Sequence, residues 1–238
     1  YEIASCLVGS EMCIRDSLNS IDKLEFSLAR SDTTKKVTRI QREKINVILE
    51  AALEVFSNHG FRGATIDMIA KNANLSKPNI LYYFDSKDDI HSALLSKLLE
   101  KWLEPLKVIS PTGDPVEEIC SYVENKLDMA RMFPRESRLF ANEILQGAPR
   151  MLKILSGPLK ELADQKAEII NSWVKAGKIE PINPYHLIFS IWATTQHYAD
   201  FDVQIHAVLG HKHNDSHFND ARTYLRLLFT RLLEPKVK

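Results

Sequence analysis

Residues 65–87 read TIDMIAKNANLSKPNILYYFDSK, and this stretch decides the fold of the chain. Apolar residues recur at helical spacing at Ile66, Ile69 and Ala70. The same spacing returns at Ile80 and Phe84, after a turn that contains two asparagines. The pattern predicts two short helices joined by a tight turn. Helices this short bury little surface alone, so the stretch indicates a helix-turn-helix whose second helix presents side chains to a partner.

Polar side chains mark where these helices begin. Thr65 and Ser76 each precede a helical run, where a hydroxyl oxygen can accept from the free N–H groups of the first turn. Ser86, with Asp89 three residues later, predicts a capping box for a third helix. Asn74 lies in the turn and tolerates the positive φ that a sharp turn requires.

The second short helix carries groups that grip phosphate and read base edges. Lys77 supplies an ammonium, Asn79 an amide, and Tyr82 and Tyr83 two phenols. The residues predicted to bind double-stranded DNA are Lys36, Arg39, Thr65, Ser76, Lys77, Pro78, Asn79, Tyr82, Tyr83 and Lys87. The alternative at this point is that these groups form only a solvated surface.

Charge distribution supports a nucleic-acid partner. The 238 residues have a formal net charge of zero, yet residues 35–87 carry nine basic and five acidic residues. The remainder of the chain must balance that basic excess. A basic head on an acidic body favours a polyanion over a membrane.

Composition and helical periodicity predict an all-α chain. Hydrophobic residues make up 45% of the sequence and glycine is scarce. We expect a tail at residues 1–34 that is disordered or non-native, a three-helix DNA-binding domain at 35–85, and a helical bundle for ligand binding and dimerisation at 86–238. Predicted helices, besides the two short ones, cover residues 36–58, 86–108, 115–132, 134–145, 152–176, 184–209 and 218–233.

The N-terminal tail contains CLVGSEMCIRDS, which resembles translated cloning or adapter sequence, so Cys6 and Cys13 are set aside. Cys120 is then the one remaining cysteine. A lone thiol and no membrane-spanning apolar run are typical of a cytoplasmic protein without a disulfide framework.

A polar cluster interrupts an apolar helix at residues 192–201, WATTQHYADF. Buried polar groups need partners from the protein, water or a ligand. The amide of Gln196 can donate and accept side by side, as an imide edge requires. A wet dimer interface is the alternative, because the helices at 184–209 and 218–233 carry enough apolar surface to pair about a two-fold axis in a homodimer.

The head resembles the TetR family. Its N-terminal signature is matched at Phe56, Gly60, Thr65, Ile69, Ala70, Ala73, Ser76, Phe84, Lys87 and Ile90. Two positions depart from it, since the family usually has glycine where Asn74 stands and tyrosine where Leu81 stands. The resemblance implies a dimeric transcription regulator, usually a repressor, that binds a palindromic operator and answers to a small-molecule effector.

The body resembles the pyrimidine-utilisation (Rut) branch of that family. The stretches SRLFANEILQGAP, WVKAGKIEPINPYHLIF and IWATTQHYADF carry this resemblance. It implies uracil or thymine as effector and pyrimidine-catabolism genes as targets. The predicted ligand-binding residues are Trp102, Phe140, Glu143, Trp192, Thr195 and Gln196.

Other functions stay open at this point. A TetR-type repressor for a larger hydrophobic compound is one, and a DNA-binding module without a ligand is another. The histidines at 206, 211, 213 and 217 have zinc-compatible spacing, but their Lys- and Asn-rich surroundings favour a solvated loop, so no metal or cofactor is predicted. No catalytic arrangement stands out, and Glu143 is expected to pair with Arg138, so an enzyme is not predicted.

Overall fold

The computed structural model describes residues 38–210 and 216–235, and every regular element in these ranges is helical. Residues 1–34 and Lys36 lie outside the described residues. The helices are α1 (Arg39–Gly63), α2 (Ile66–Asn72), α3 (Lys77–Tyr83), α4 (Lys87–Lys107), α5 (Pro115–Met132), α6 (Pro134–Leu145), α7 (Leu152–Ile154), α8 (Lys160–Lys175), α9 (Pro184–Asp200), α10 (Asp202–Leu209) and α11 (Ser216–Leu233).

The predicted caps at Thr65, Ser76 and Ser86 and the turn at Asn74 are confirmed. The hydroxyl oxygens of Thr65, Ser76 and Ser86 accept from backbone N–H groups three residues on, at 3.2, 3.3 and 3.1 Å. The capping box predicted at Ser86 is formed only in part, because the Asp89 carboxylate accepts from the Ser86 hydroxyl at 2.8 Å and not from the Ser86 backbone N–H. Asn74 has a φ of 53°, in the left-handed region. Gly60 breaks α1 with a φ of 64°, and one further turn follows to Gly63.

Two long helices predicted in the body are interrupted. The helix expected over 152–176 contains a π-helical turn at Leu155–Leu159, where Pro158 lacks the N–H that a regular α-helix needs. The helix expected over 184–209 ends at Asp200 and resumes at Asp202, because Phe201 leaves the helical conformation. The break separates the polar cluster on α9 from the exposed apolar residues of α10.

Two hydrophobic cores divide the described residues. The first begins with Ile48 and Phe56 in the head and continues through α4 to Trp102 and Met151 in the body. The second packs α5, α8, α9 and α11 around residues such as Trp173. The helix α4 contributes to both cores, so the predicted boundary at residues 85 and 86 is crossed by continuous apolar packing. No described helix is long and apolar enough to span a bilayer.

Candidate functional site

The first candidate site is the exposed surface of α3. Pro78 and Asn79 in its first turn are exposed, and Tyr82 is 69% exposed one turn later. Tyr83 is half-buried against the first core and meets the Tyr82 ring edge-on at 5.0 Å. Ile80 is fully buried and fixes the helix to the head. The predicted DNA-binding residues of α3 are therefore exposed to solvent, except Tyr83, which is half-buried.

The other predicted DNA-binding residues of the head that the structure describes include Arg39, Thr65, Ser76 and Lys77, which are also exposed. The ammonium of Lys77 donates to Asp67 at 2.8 Å, and Arg39 donates to Glu43 at 2.9 Å. Both pairs are solvent-exposed, where ion pairs contribute little stability, so either cation can exchange its partner for a phosphate. The oxygens of Thr65 and Ser76 act as caps, which leaves each hydroxyl hydrogen available to donate.

Lys87 has an internal role that the sequence did not predict. Its ammonium donates to the carbonyl oxygens of Phe61 and Ala64, both at 2.8 Å. It also lies 4.5 Å from the centre of the Phe61 ring. Cations bound to the last carbonyls of a helix stabilise its C-terminus. Lys87 thus fastens α4 to the end of α1, and its contact with DNA stays a prediction.

The second candidate site lies in the body, between α4, α5 and α9. The indole N–H of Trp192 on α9 donates to the Tyr122 hydroxyl on α5 at 2.6 Å. Gln196 is one turn after Trp192, and no described group forms a hydrogen bond with its amide. Asp200 follows after another turn and attracts Lys126, which is one turn after Tyr122. Because residues four apart share a helix face, Gln196 lies on the same face of α9 as Trp192 and Asp200. Trp192 contacts α5 one turn before Gln196, and Asp200 attracts Lys126 of α5 one turn after it.

Lys126 and Trp102 meet in this site. Lys126 is 3% exposed and Trp102 is 6% exposed. The ammonium lies 4.2 Å from the centre of the indole ring, and no carboxylate of the described residues forms an ion pair with it. The indole nitrogen of Trp102 is buried without a hydrogen-bond partner. Burial lowers the pKa of Lys126 to about 7, against the opposing attraction of Asp200.

Asp200 closes the site toward α6. It accepts a hydrogen bond from Ser137 at 2.5 Å, and burial raises the pKa of its carboxyl group. Tyr122 is also buried, and burial raises the pKa of its phenol, so this hydroxyl stays neutral at physiological pH. The site therefore combines two indoles, a buried ammonium, a carboxyl group and an amide.

Three predicted ligand residues have other surroundings. Thr195 is fully buried, and its hydroxyl donates to the Ile191 carbonyl of its own helix at 2.7 Å. Phe140 packs on the first core, one turn after Ser137. Glu143 is buried beside His91, which lies about 16 Å before Trp102 along α4 at the helical rise of ~1.5 Å per residue. The structure does not bring Glu143 to the indoles.

The expected pair between Glu143 and Arg138 is wrong. Glu143 accepts from the backbone N–H of Arg150 at 2.8 Å and from its guanidinium at 3.2 Å. Arg138 instead donates to Asp202 at 2.9 Å. The side chains on α6 diverge because Arg138 and Glu143 are five residues apart, which places them on different faces of the helix.

Sequence reasoning missed Lys126, Asp200 and Tyr122. A signal for Lys126 was present, since it stands in the apolar stripe of α5 with Ile119 and Val123. A lysine in such a stripe is either paired in the core or functional. Outside this site, a cavity of about 570 Å³ lies between α1, α4 and α6, and none of the six predicted ligand residues lines it.

Comparison with known proteins identifies the family of the chain. Residues 48–94 match the tetR family of bacterial regulatory proteins, and residues 95–236 match the family described as YcdC-like protein, C-terminal region. The HTH-type transcriptional regulator RutR of Escherichia coli K12 is 48% identical over 178 residues, covering 75% of this chain and 84% of that protein.

Solved structures show the same fold. A TetR-like transcriptional regulator from Rhodococcus sp. RHA1 has a TM-score of 0.59 at 23% identity, covering 82% of this chain and 97% of that one. AibR, solved with isovaleryl coenzyme A and operator DNA, has a TM-score of 0.61 at 15% identity, covering 81% of this chain and all of that one. The chain belongs to the TetR family and is a helix-turn-helix transcriptional regulator.

Proposed function

We propose that the protein is a dimeric repressor of pyrimidine-catabolism genes that releases its operator when uracil or thymine binds the body. This proposal is supported by the contacts of Trp192 with Tyr122 and of Trp102 with Lys126, in a chain 48% identical to RutR. Trp192 lies one turn of α9 before Gln196. A bacterial regulator of this kind acts in the cytoplasm, where the DNA is.

The proposal that the protein binds operator DNA rests on the exposed residues of α3. Lys77 and Asn79 stand at the start of the helix, where side chains of a recognition helix contact base edges and phosphates. Arg39 begins α1 and Thr65 precedes α2. Their contacts with phosphates would fix the position of the protein along the DNA. A two-fold dimer places one such helix in each half of a palindromic operator.

The proposal that the protein is a dimer rests on apolar residues that are exposed in the single chain. On α11, Tyr224, Leu227 and Leu232 are 60%, 48% and 43% exposed. On α9, Phe189 is 50% exposed. An exposed apolar face on two neighbouring helices is suited to pairing with the same face of a second copy. Light scattering that shows a monomer at micromolar concentration would contradict this arrangement.

The proposal that a pyrimidine is the effector rests on the match between its ring and the side chains of the second candidate site. A pyrimidinedione is a flat ring whose edge alternates carbonyl acceptors with N–H donors. The two indoles offer apolar faces for the ring, and the Gln196 amide pairs with an imide edge. Lys126 and the Trp102 indole N–H add two donors that have no acceptor among the described residues, and a large hydrophobic effector would leave both unpaired.

Thermal stability against a ligand panel tests the proposal. A ligand that binds only the folded protein stabilises it by about 2.7 kcal/mol at 100 times its Kd. Uracil and thymine are expected to raise Tm, and purines and long-chain acids are expected to leave it unchanged. A rise with a bulky apolar compound and none with either pyrimidine would instead favour the hydrophobic-effector repressor.

A further inference from the structure

Two lysines are buried in the body, and their surroundings differ. Lys166 on α8 donates from its ammonium to the carbonyl oxygens of Lys107 and Ile109, at 2.7 and 3.0 Å. Lys126 on α5 is buried more deeply and has no hydrogen bond or ion pair with any described residue. A buried, unpaired ammonium is costly to a folded protein, so a structural role explains Lys166 but not Lys126.

A second unpaired donor lies beside Lys126. The indole N–H of Trp102 is buried without an acceptor, and the ammonium contacts the face of the same ring. Neither donor has a hydrogen-bond acceptor among the described residues, and a ligand that brings acceptors would satisfy both. The indole of Trp192 differs, because its N–H already donates to Tyr122.

We propose that Lys126 determines effector specificity by donating to the 4-oxo group of the bound pyrimidine, with the Trp102 indole N–H as a second donor. This inference rests on the proposed function and adds the residue that selects oxo over amino pyrimidines. Cytosine carries an amino group where uracil carries its 4-oxo group. An amino group cannot accept from an ammonium, so cytosine would leave the Lys126 charge buried and unpaired.

The charge state of Lys126 links this recognition to pH. In the free protein its pKa is lowered to about 7 by burial, so a substantial fraction is neutral near pH 7. A ligand oxygen that accepts from the ammonium favours the charged form, so binding is accompanied by proton uptake above pH 7. Asp200 of α9 faces Lys126, Tyr122 precedes it on α5, and Arg138 and His197 act on Asp200 from α6 and α9.

Calorimetry with uracil and cytosine tests the assignment on the full-length protein. The unmodified protein is expected to bind uracil at least tenfold more tightly than cytosine. Its affinity for uracil is expected to fall as the pH is raised from 7 to 8.5. Lys126→Met is expected to bind uracil tenfold or more weakly, and its uracil affinity should no longer depend on pH. Its Tm should be higher, because the substitution removes a buried charge that has no ion-pair partner. Lys166→Met is the matched control, with a lower Tm and unchanged uracil affinity.

The outcomes separate the two claims. Unchanged uracil affinity in a folded Lys126→Met, or equal binding of cytosine and uracil by the unmodified protein, would overturn the role of Lys126 and leave the proposed function intact. An unmodified protein that binds neither uracil nor thymine would overturn the proposed function, and the role of Lys126 with it.

Discussion

The guanidinium of Arg150 donates to the buried carboxylate of Glu143 at 3.2 Å, and the backbone N–H of Arg150 donates to the same carboxylate at 2.8 Å. The guanidinium also lies 3.7 Å from the centre of the Phe61 ring and pairs with Asp88 at 2.8 Å. Phe61 belongs to α1, Asp88 to the first turn of α4 and Glu143 to α6. One side chain therefore joins the head to the body.

Arg150→Met is expected to destabilise the fold. The substitution leaves Glu143 buried without its cation, and removing one partner of a buried ion pair costs about 3–5 kcal/mol. Urea unfolding measures the loss. The double variant Glu143→Gln with Arg150→Met should recover part of it, whereas Asp88→Asn, at the exposed end of the network, should change stability by less than about 1 kcal/mol. Equal losses in Arg150→Met and Asp88→Asn would contradict this account.

Lys77 and Lys87 are expected to act differently although both were predicted to contact DNA. Lys87→Met removes two charge-assisted hydrogen bonds to carbonyls and should lower the unfolding free energy by about 1–3 kcal/mol. Lys77→Met removes only an exposed ion pair and should leave stability nearly unchanged.

Operator binding separates these two lysines further. Lys77→Met should weaken affinity and flatten the dependence of log K on log salt by about one unit, as expected for one lost phosphate contact. Fluorescence anisotropy at several salt concentrations gives the slope. If neither affinity nor slope changes in folded Lys77→Met, the proposed docking of α3 is wrong.

The sequence predicted local structure in the head more fully than in the body. The caps at Thr65 and Ser76 and the turn at Asn74 depend on neighbouring residues, so local rules sufficed. The break at Phe201 and the pairing of Glu143 with Arg150, seven residues later, depend on backbone conformations outside the regular helices, which helical periodicity does not encode. Trp192 and Gln196 were visible within a polar interruption, and Lys126 was visible as a lysine in the apolar stripe of α5, but the contact of Lys126 with Trp102 depends on packing between helices.

Gln196→Leu is expected to weaken uracil binding by about 5- to 150-fold while leaving the affinity of the ligand-free protein for DNA nearly intact. The substitution removes the amide and would leave the imide edge of the ring unpaired, at a cost of about 1–3 kcal/mol. N3-methyluracil should bind the unmodified protein poorly, because its methyl group replaces the N–H donor. Calorimetry that finds N3-methyluracil as tight as uracil would show that the pairing of amide with imide is wrong.

His91 should make stability sensitive to acid. Burial, with a smaller contribution from Arg150, lowers the pKa of His91 from 6.5 to about 4. The unfolded chain takes up a proton at this residue below about pH 6.5, and the folded chain does so only near pH 4. The stabilising contribution of neutral His91 to the free energy of unfolding is therefore complete above pH 6.5. It is lost as the pH falls toward 4, and the loss reaches about 3 kcal/mol.

His91→Gln serves as the comparison for this pH dependence, because glutamine is polar and does not titrate. Urea unfolding at pH 7 and pH 4.5 is expected to show a smaller loss of stability in His91→Gln than in the unmodified protein. The four charged neighbours that act on His91, which are Arg150, Glu143, Asp88 and Lys87, are unchanged in this variant. Identical pH profiles for the two proteins would contradict a buried neutral imidazole in the fold.

Release of operator DNA by uracil tests the central claim most directly. Operator fragments are selected from a random DNA pool by the purified protein, labelled, and bound to the dimer, and anisotropy is followed while uracil or thymine is added. The account predicts that either pyrimidine releases the DNA, that cytosine does so poorly, and that Gln196→Leu binds the DNA but needs a higher uracil concentration to release it. DNA that stays bound at saturating uracil and thymine would contradict a pyrimidine-released repressor.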